Sequence, residues 1–200
     1  MPRVEIPAID EAEIVLYRDF FTPEENTEFY QDLLANTAWQ QRRTRFGRAV
    51  PRLTAFYGDT EKTYAYSGIV EHPRPWTPTL LVIKHRIEAV ADVRFNTVLL
   101  NLYRHERDSV AWHSDDEEEL GHNPVIASVS FGAERLFRLR HKARQQPHVD
   151  LILPPGSLLL MGGETQHHWQ HCLPKAKQPH RPRLNLTYRL INEGHVLNDE

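Results

Sequence analysis

Hydrophobic residues recur at helical spacing in two segments of the N-terminal half of the chain. Residues 22–25 have the sequence of a helix start: a threonine that can cap, a proline suited to the first turn, and a glutamate three residues after the cap. The apolar stripe that follows consists of Phe29, Leu33 and Leu34. A second helix is predicted from Thr77-Pro78 to about Ala91, and the side chains that we expect to point inward are Leu80, Leu81, Ile83, Ile87 and Val90.

From Phe95 onward the pattern changes to short runs that are rich in β-forming residues. These runs cover residues 96–104, 124–131, 135–141, 149–153, 156–161, 167–173 and 182–191, and turn signals with glycine or proline separate several of them. Many short strands without intervening helices are typical of a sandwich or barrel. We therefore predict a mainly β (α+β) chain in which two N-terminal helices pack on a jelly-roll core, also called a double-stranded β-helix.

The composition limits the class of protein. A chain of 200 residues, 40% hydrophobic and 26% charged, fits one globular domain with a sizeable core. No apolar run approaches the ~20 residues of a membrane span, and the acidic N-terminus lacks the apolar core of an export signal. Cys172 is the only cysteine, which excludes an internal disulfide and a thiolate metal cage. We expect a soluble, cytoplasmic protein with no membrane partner.

Charge is distributed unevenly along the chain. The formal net charge of −3 disfavours a general nucleic-acid binder, because phosphate contacts favour basic surfaces. Residues 42–52, however, contain five arginines and no acid, whereas residues 115–119 are all acidic. The average charge therefore hides a basic segment that is suited to following a nucleic-acid backbone.

The segment His113-Ser114-Asp115 places two candidate metal ligands two residues apart. On a strand these side chains leave the same face, and a distant histidine would complete a set of two histidines and one carboxylate. That set leaves coordination positions open and suits non-haem Fe(II) oxygenases. For His113 taken alone, an ordinary surface histidine beside an acidic loop is the better explanation. A second copy, His148-Val149-Asp150, follows a polar loop without partner motifs, and we interpret it as a decoy at a strand start.

Three histidines are candidates for the distant ligand: His167, His168 and His171. On a strand His167 and His171 share a face, whereas His168 points the other way. The sequence of residues 169–174 favours His171, and we interpret the other two as outer or surface histidines.

The segment 183–189, Arg-Leu-Asn-Leu-Thr-Tyr-Arg, alternates strictly between polar and apolar residues. One face of the predicted strand consists of Arg183, Asn185, Thr187 and Arg189. Two guanidinium groups suit bidentate binding of carboxylates, and 2-oxoglutarate is a dicarboxylate that also chelates a metal. The alternative is a sheet face open to water. On the strand from Thr97 to Arg104, Asn101 and Tyr103 share a face and can complete such a pocket, although a core tyrosine is the simpler interpretation.

Taken together, these residues resemble a known family. Asn101-x-Tyr103, His113-x-Asp115, His171 and Arg183-x-Asn185-x-Thr187-x-Arg189 occur in the order and placement of the AlkB-type Fe(II)/2-oxoglutarate-dependent dioxygenases. The resemblance covers about residues 40–191 and is strongest to the branch of nuclear DNA-repair AlkB homologues. Other segments similar to that branch are residues 51–52, 57–59, 66–68, 124–132, 140–142 and 168–174.

The resemblance implies a role for each matching residue, with Fe(II), 2-oxoglutarate and O₂ as cofactor and cosubstrates. His113, Asp115 and His171 would bind iron. The residues that would hold 2-oxoglutarate are Asn101, Tyr103, Arg183, Thr187 and Arg189, supported by Asn185. Arg183 would bind the distal carboxylate, and Arg189 would lie at the end nearer the metal.

The substrate side follows from the same resemblance. Phe46 resembles an aromatic finger that fills the gap left by a flipped base, with Arg52 nearby; the alternative for Phe46 is an aromatic residue half-buried in a loop. Tyr66 and Ser67 match positions that stack on and border the flipped base. Asp116 matches an acid that favours cationic methylated bases, and its alternative is a solvated acidic run.

The resemblance thus implies oxidative dealkylation of 1-methyladenine and 3-methylcytosine in DNA. The same chemistry on RNA, protein or a small molecule is one alternative, and a non-catalytic β-sandwich binding module is another. We expect a single domain over 1–200, with a helical and substrate-recognition part (1–95) and a jelly-roll catalytic core (96–191). We also expect a monomer from a bacterial cytoplasm.

Overall fold

The computed structural model describes residues 3–5, 9–44, 46–59, 64–66, 69–178 and 180–192, and for 3–5, 64–66 and 69–71 it describes the backbone alone. In chain order the elements are β1 (Arg3–Glu5), β2 (Glu13–Tyr17), α1 (Pro23–Asn36), β3 (Leu53–Gly58), β4 (Tyr64–Tyr66), β5 (Ile69–Glu71), α2 (Pro78–Ala91), β6 (Thr97–Tyr103), β7 (Val110–His113), a 3-10 turn (Glu118–Leu120), β8 (Ile126–Gly132), β9 (Arg135–His141), β10 (Val149–Leu153), β11 (Ser157–Gly162), α3 (Thr165–His168), β12 (Trp169–Leu173) and β13 (Arg183–Arg189).

Two antiparallel sheets form a sandwich. The larger sheet has seven strands in the order β1-β2-β11-β8-β13-β6-β3, and the smaller sheet has four in the order β10-β9-β12-β7. One apolar cluster joins them, because it combines Leu16, Phe56 and Leu159 of the larger sheet with Phe137 and Trp169 of the smaller one. This architecture confirms the predicted mainly β class with helices packed on it.

The strict alternation of β13 gives this strand one apolar face and one polar face, which are buried in two different parts of the molecule. Leu184, Leu186 and Tyr188 point away from the smaller sheet into a core that α1 and α2 cover. Each fully buried leucine of this core contributes roughly 1.5–3 kcal/mol of hydrophobic free energy. The opposite face of β13 points towards the smaller sheet and carries the polar residues. The helix-covered core therefore supplies apolar burial, and the space between the sheets can hold polar groups.

Both predicted helices are present. Thr22 caps α1 in a capping box with Glu25, and Thr77 caps α2. The prediction that Val90 points inward is wrong, since Val90 is 37% exposed, and Leu34 of the predicted apolar stripe is also 37% exposed. The buried stripe of each helix is narrower than the sequence pattern. Leu81 is half-buried. No helix in the described ranges is both long and apolar enough to cross a membrane.

Some strands were not predicted from the sequence. β2 and β3 come before Phe95, yet β2 pairs with β11 and β3 pairs with β6 in the larger sheet. These segments are short, and only neighbours far along the chain complete their hydrogen bonds. The predicted boundary at residue 95 therefore does not separate the sheet strands from the helices.

Candidate metal and cosubstrate site

Two histidines meet across neighbouring strands of the smaller sheet. His113 is the last residue of β7 and His171 lies in the middle of β12, and the two are paired in the strand register. Their ring centroids are 4.3 Å apart, and the ring of Phe137 stacks on His171 at 5.1 Å. Nδ1 of His113 lies 2.9 Å from the carbonyl oxygen of Ala111 and donates to it. This bond leaves the Nε2 lone pair available for a metal, as is common for ligating histidines.

Asp115 reaches the same place by a route that the sequence pattern did not predict. We expected His113 and Asp115 on one strand face, but β7 ends at His113 and Asp115 lies in the bend that follows. The backbone N–H of Asp115 donates to Oε1 of Gln166 (3.0 Å), and Oγ of Ser114 donates to the carbonyl of Trp169 (2.9 Å). These two bonds hold the bend.

The structure brings these three sequence-predicted residues together. The possible ligand atoms of His113, Asp115 and His171 all lie within 4.8 Å of one another. Asp115 and His171 are buried, and His113 is half-buried. Two imidazole nitrogens and one carboxylate oxygen are the donor set that non-haem Fe(II) enzymes use.

Burial and charge set the protonation state of the cluster. Burial alone would raise the pKa of Asp115, but the charges of Arg189, His171 and His113 lower it to about 2. Burial and repulsion from His113 lower the pKa of His171 to about 3. At neutral pH the cluster therefore contains a carboxylate and a neutral His171 imidazole, which are the forms that bind metals.

A second cluster, made of Glu11, His141 and His168, also has ligand atoms within 4.8 Å of one another. Its hydrogen bonds argue against a metal. Nδ1 of His141 accepts the backbone N–H groups of Ala143 and Arg144 at 3.1 and 3.0 Å, so that Nε2 carries the proton and donates it to Glu11 (2.8 Å). Neither ring nitrogen of His141 is then available as a ligand. The cluster instead fastens the chain around Glu11 to the end of β9.

The other candidate histidines lie outside the first cluster. The predicted strand over 167–173 begins only at Trp169, because residues 165–168 form the helical turn α3. The alternation argument for His167 and His168 is therefore wrong, although neither belongs to the first cluster. In the second His-x-Asp copy, Asp150 accepts two 2.6 Å hydrogen bonds from Arg138 instead of facing a metal-like cluster.

The polar face of β13 is buried between the sheets rather than open to water. Its members are Arg183, Asn185, Thr187 and Arg189. In the register with β6, Arg183 lies opposite Tyr103 and Asn185 opposite Asn101. Arg189 reaches the cluster of His113, Asp115 and His171, since its Nη2 lies 2.6 Å from Oδ1 of Asp115. The strand thus connects the cluster with a group of buried polar side chains farther along the sheet.

Arg183 lies at the end of this polar face that is far from the cluster. Its Nη2 donates to Oγ of Ser130 (2.9 Å), and its guanidinium carbon lies 5.4 Å from the centroid of the Tyr103 ring. Within the described ranges, its Nε has no hydrogen-bond partner. Burial lowers the pKa of Arg183 to about 10, so the group stays charged at neutral pH. A buried cation with an unused N–H fits an anionic ligand such as a carboxylate.

Two residues near the cluster were missed by sequence reasoning. Gln166 is fully buried and holds the backbone of Asp115. Lys142 donates from Nζ to Oδ2 of Asp116 and to the carbonyl of Gln166, both at 2.8 Å. The resemblance of residues 140–142 gave Lys142 no role, and no local pattern predicts these bonds, because they join positions far apart in the chain.

The residues predicted to contact the substrate lie in different parts of the structure. Phe46 is 75% exposed near the tip of a hairpin that the bridges Arg43–Ala49 and Gln40–Thr54 define, so it is not half-buried. Nε of Arg52 donates to Oδ1 of Asn101 (2.7 Å), which lies opposite Asn185 of β13. Asp116 is exposed and paired with Lys142. Ser67 and the side chain of Tyr66 lie outside the part of the chain that is described.

Comparisons with known proteins agree with this geometry. The model of the 2OG-Fe(II) oxygenase superfamily matches residues 13–189. Human alpha-ketoglutarate-dependent dioxygenase alkB homolog 3 is 43% identical over 190 residues, which are 89% of this chain and 66% of that protein. Human DNA oxidative demethylase ALKBH2 is 44% identical over 155 residues, 73% of this chain and 59% of that protein. The Arabidopsis thaliana ALKBH2 is 32% identical over 90% of this chain and 67% of its own length.

Solved structures agree on the fold. OsALKBH1 superposes with a TM-score of 0.70 at 16% identity, covering 94% of this chain and all of that one. A Trichoplax adhaerens prolyl hydroxylase superposes with a TM-score of 0.61 at 12% identity, covering 88% and 83%. These neighbours confirm the jelly-roll prediction.

The chain belongs to the 2OG-Fe(II) oxygenase superfamily, as a protein of its AlkB type. Membership implies Fe(II), 2-oxoglutarate and O₂. The residues fit these groups: the first cluster offers the donor set for iron, and the unused Nε of buried Arg183 offers a donor for a carboxylate. The human relatives are longer than this chain, which spans 66% and 59% of their lengths.

We expect His113→Ala to weaken binding of Mn(II), a non-oxidising substitute for Fe(II), by about a hundredfold or more. Loss of groups behind a ligand already costs about 10–100-fold in metal affinity, and loss of the ligand itself should cost at least as much. Calorimetric titration measures the change. His148→Ala, in the other His-x-Asp segment, is the matched control and should bind like the wild type. Equal Mn(II) affinities for both variants would contradict the assignment.

Proposed function

We propose that this protein oxidatively removes alkyl groups from nucleobases in DNA, with the Fe(II), 2-oxoglutarate and O₂ of its family. The observation that carries the proposal is the convergence of His113, Asp115 and His171 next to a strand face with two buried arginines. Nucleic acid as the substrate is supported by the relatives, because human ALKBH2 is named as a DNA oxidative demethylase.

In this proposal the cluster holds the iron, and the pocket along β13 orients 2-oxoglutarate. Arg183 takes the distal carboxylate, and Arg189 serves the end near the metal, where it already contacts Asp115. When bound, the iron, 2-oxoglutarate and O₂ supply the oxidation, in which 2-oxoglutarate becomes succinate and CO₂ and a base methyl group leaves as formaldehyde. The protein contributes fixed ligand positions and a site largely shielded from water.

The other polar residues of β6 and β13 would either contact 2-oxoglutarate or hold the side chains that contact it. Asn101 and Tyr103 face the pocket from β6 and are both buried. Asn185 donates to Oγ of Ser128 (2.8 Å) and accepts from Thr187 (3.2 Å), which fixes the middle of the polar face. Hydrogen-bonded side chains of this kind hold their neighbours in one orientation, so little reorganisation is needed when a ligand binds.

The proposed substrates are 1-methyladenine and 3-methylcytosine, which carry a positive charge. Asp116 follows the ligand Asp115 and is exposed, so its carboxylate can face a base that enters from solvent. The ion pair with Lys142 at 2.8 Å fixes the direction of that carboxylate, and it also reduces its net charge. We propose that Asp116 favours cationic bases by a modest electrostatic preference, as expected for an exposed group.

The hairpin of residues 40–54 is the proposed contact to the nucleic-acid backbone. Phe46 projects near its tip, and Arg43 and Arg48 are exposed next to it. Insertion of an aromatic ring recovers part of the stacking that is lost when a base flips out. We propose that Tyr66 and Ser67 border the flipped base, and that Arg52, bonded to Asn101, orients the pocket wall. A monomer and a bacterial cytoplasm stay predictions.

The direct test is incubation with oligonucleotides containing 1-methyladenine or 3-methylcytosine, together with Fe(II), 2-oxoglutarate and ascorbate. We expect loss of the methyl group and matching formaldehyde and succinate, measured by mass spectrometry, and none when 2-oxoglutarate is left out. Demethylation of RNA oligonucleotides but not of DNA oligonucleotides would show that RNA is the substrate. Succinate formed with oxidation of ascorbate but without any change in nucleic acid would be uncoupled turnover and would leave a protein or a small molecule as the candidate substrate. No succinate under any condition would indicate a non-catalytic module.

Phe46→Ala should reduce demethylation of duplex DNA roughly 5- to 100-fold, since stacking of one aromatic side chain on a base is worth about 1–3 kcal/mol. Demethylation of the same sequence as a single strand should change little, because no stacked duplex has to open. Phe46→Tyr keeps the ring and is the matched control. The finger role would be lost if Phe46→Ala slowed both substrates equally.

A further inference from the structure

Arg135 is a buried arginine at the start of β9 that neither the sequence motifs nor the proposed mechanism uses. Only 3% of its surface is exposed. Its Nη2 donates to the backbone carbonyls of Asp108 (3.1 Å) and Pro174 (2.5 Å). Its Nη1 is buried and, among the residues that the structure describes, has no hydrogen-bond partner. A buried charged N–H without a partner is costly and calls for a ligand or another explanation.

Arg135 and Arg183 lie close to the same aromatic ring. The guanidinium carbon of Arg135 is 6.0 Å from the centroid of the Tyr103 ring, and that of Arg183 is 5.4 Å from it. The two cations repel each other, and burial lowers the pKa of both groups. Each has an N–H without a partner within the described ranges, Nη1 in one and Nε in the other.

Asp108 and Glu106 attract Arg135 electrostatically, but within the described residues neither carboxylate forms an ion pair with it. Asp108 contacts Arg135 through its backbone carbonyl, whereas its carboxylate accepts three hydrogen bonds from Arg104 at 2.8–3.1 Å. In the part of the chain that is described, neither buried guanidinium is therefore in direct contact with a carboxylate, although Asp108 and Glu106 attract Arg135 from a distance. An anion between them would satisfy both unused donors and offset the repulsion.

We propose that Arg135 is a second guanidinium for the distal carboxylate of 2-oxoglutarate, and so a specificity-determining residue of the cosubstrate pocket. The proposal rests on the proposed function, which places that carboxylate at Arg183. Two guanidiniums recognise a carboxylate from two directions, which rejects 2-oxoacids whose far end is uncharged. The same site would gain little from a 2-oxoacid that ends in a methyl group, because both N–H donors would stay unsatisfied.

A purely structural role is the competing explanation. The bonds from Nη2 clamp the chain at Asp108 to the end of β12 at Pro174, and a clamp needs no ligand. The two roles differ in which atom matters. A clamp uses Nη2 alone and affects every ligand equally, whereas recognition also uses Nη1 and affects only ligands with a distal carboxylate.

The test is anaerobic calorimetric titration of the Mn(II)-loaded protein with 2-oxoglutarate and with 2-oxopentanoate, which has a distal methyl group instead of the carboxylate. Wild type should prefer 2-oxoglutarate. Arg135→Met should lower that preference about ten- to hundredfold, the usual effect of one charge-assisted hydrogen bond, and leave the affinity for 2-oxopentanoate unchanged. Arg138→Met, on the outer face of the same strand, is the matched control and should retain the full preference.

Other results would overturn the inference. An unchanged preference in Arg135→Met, or equal weakening of both ligands, would leave only the clamp. If Arg135→Met does not fold, Arg135→Lys decides: it can keep one bond to the carbonyls but loses the forked donor, so the preference should fall several-fold, and a wild-type preference would refute the role. A wild type that does not bind 2-oxoglutarate at all would overturn the proposed function itself, and this inference with it.

Discussion

Asp115 and Arg189 form an ion pair almost without exposure, with their side chains 2% and 8% accessible and a 2.6 Å contact between them. The pair joins the bend after β7, in the smaller sheet, to the end of β13, in the larger one. Buried ion pairs contribute little net stability, because desolvation of both charges offsets their attraction, but removal of one partner costs about 3–5 kcal/mol. The pair therefore acts mainly as a fixed point, which holds the carboxylate of the metal cluster at a set distance from the arginine face of β13.

The fold can tolerate many buried polar groups because the core under the helices is apolar, whereas the polar groups lie between the two sheets. Helices α1 and α2 cover one face of the larger sheet with an apolar core. The other face can then carry polar side chains that bond to one another, such as Asn185 to Ser128 and Arg183 to Ser130. Within the described residues some donors have no partner, above all on the two arginines beside Tyr103, and we propose that 2-oxoglutarate binds there. The proposed cosubstrate site is thus the part of the interior where buried hydrogen-bond donors of the described residues lack partners.

Local patterns predicted those parts of the molecule that local geometry decides. The alternation of β13 gave its buried polar face, and the capping residues gave the start of α1. Contacts between distant residues escaped prediction. Asp115 approaches the histidines because Gln166, from α3, holds the bend that contains it. Nothing in the sequence distinguishes Arg135 from a surface arginine, and its burial follows only from the fold. The sequence of residues 169–174 favoured His171 and a family resemblance strengthened that choice, whereas the strand alternation assumed for His167 and His168 failed at the helical turn α3.

Three side chains that are distant in the sequence, those of His113, Asp115 and His171, are proposed to hold one ferrous ion beside the arginines that bind 2-oxoglutarate. It is tested most directly by anaerobic absorption spectroscopy of the wild-type protein with Fe(II) and 2-oxoglutarate. We expect a weak visible charge-transfer band that needs both additions and disappears on chelation of the iron. A protein that is folded, as judged by circular dichroism, and gives no such band at saturating Fe(II) and 2-oxoglutarate would contradict the account.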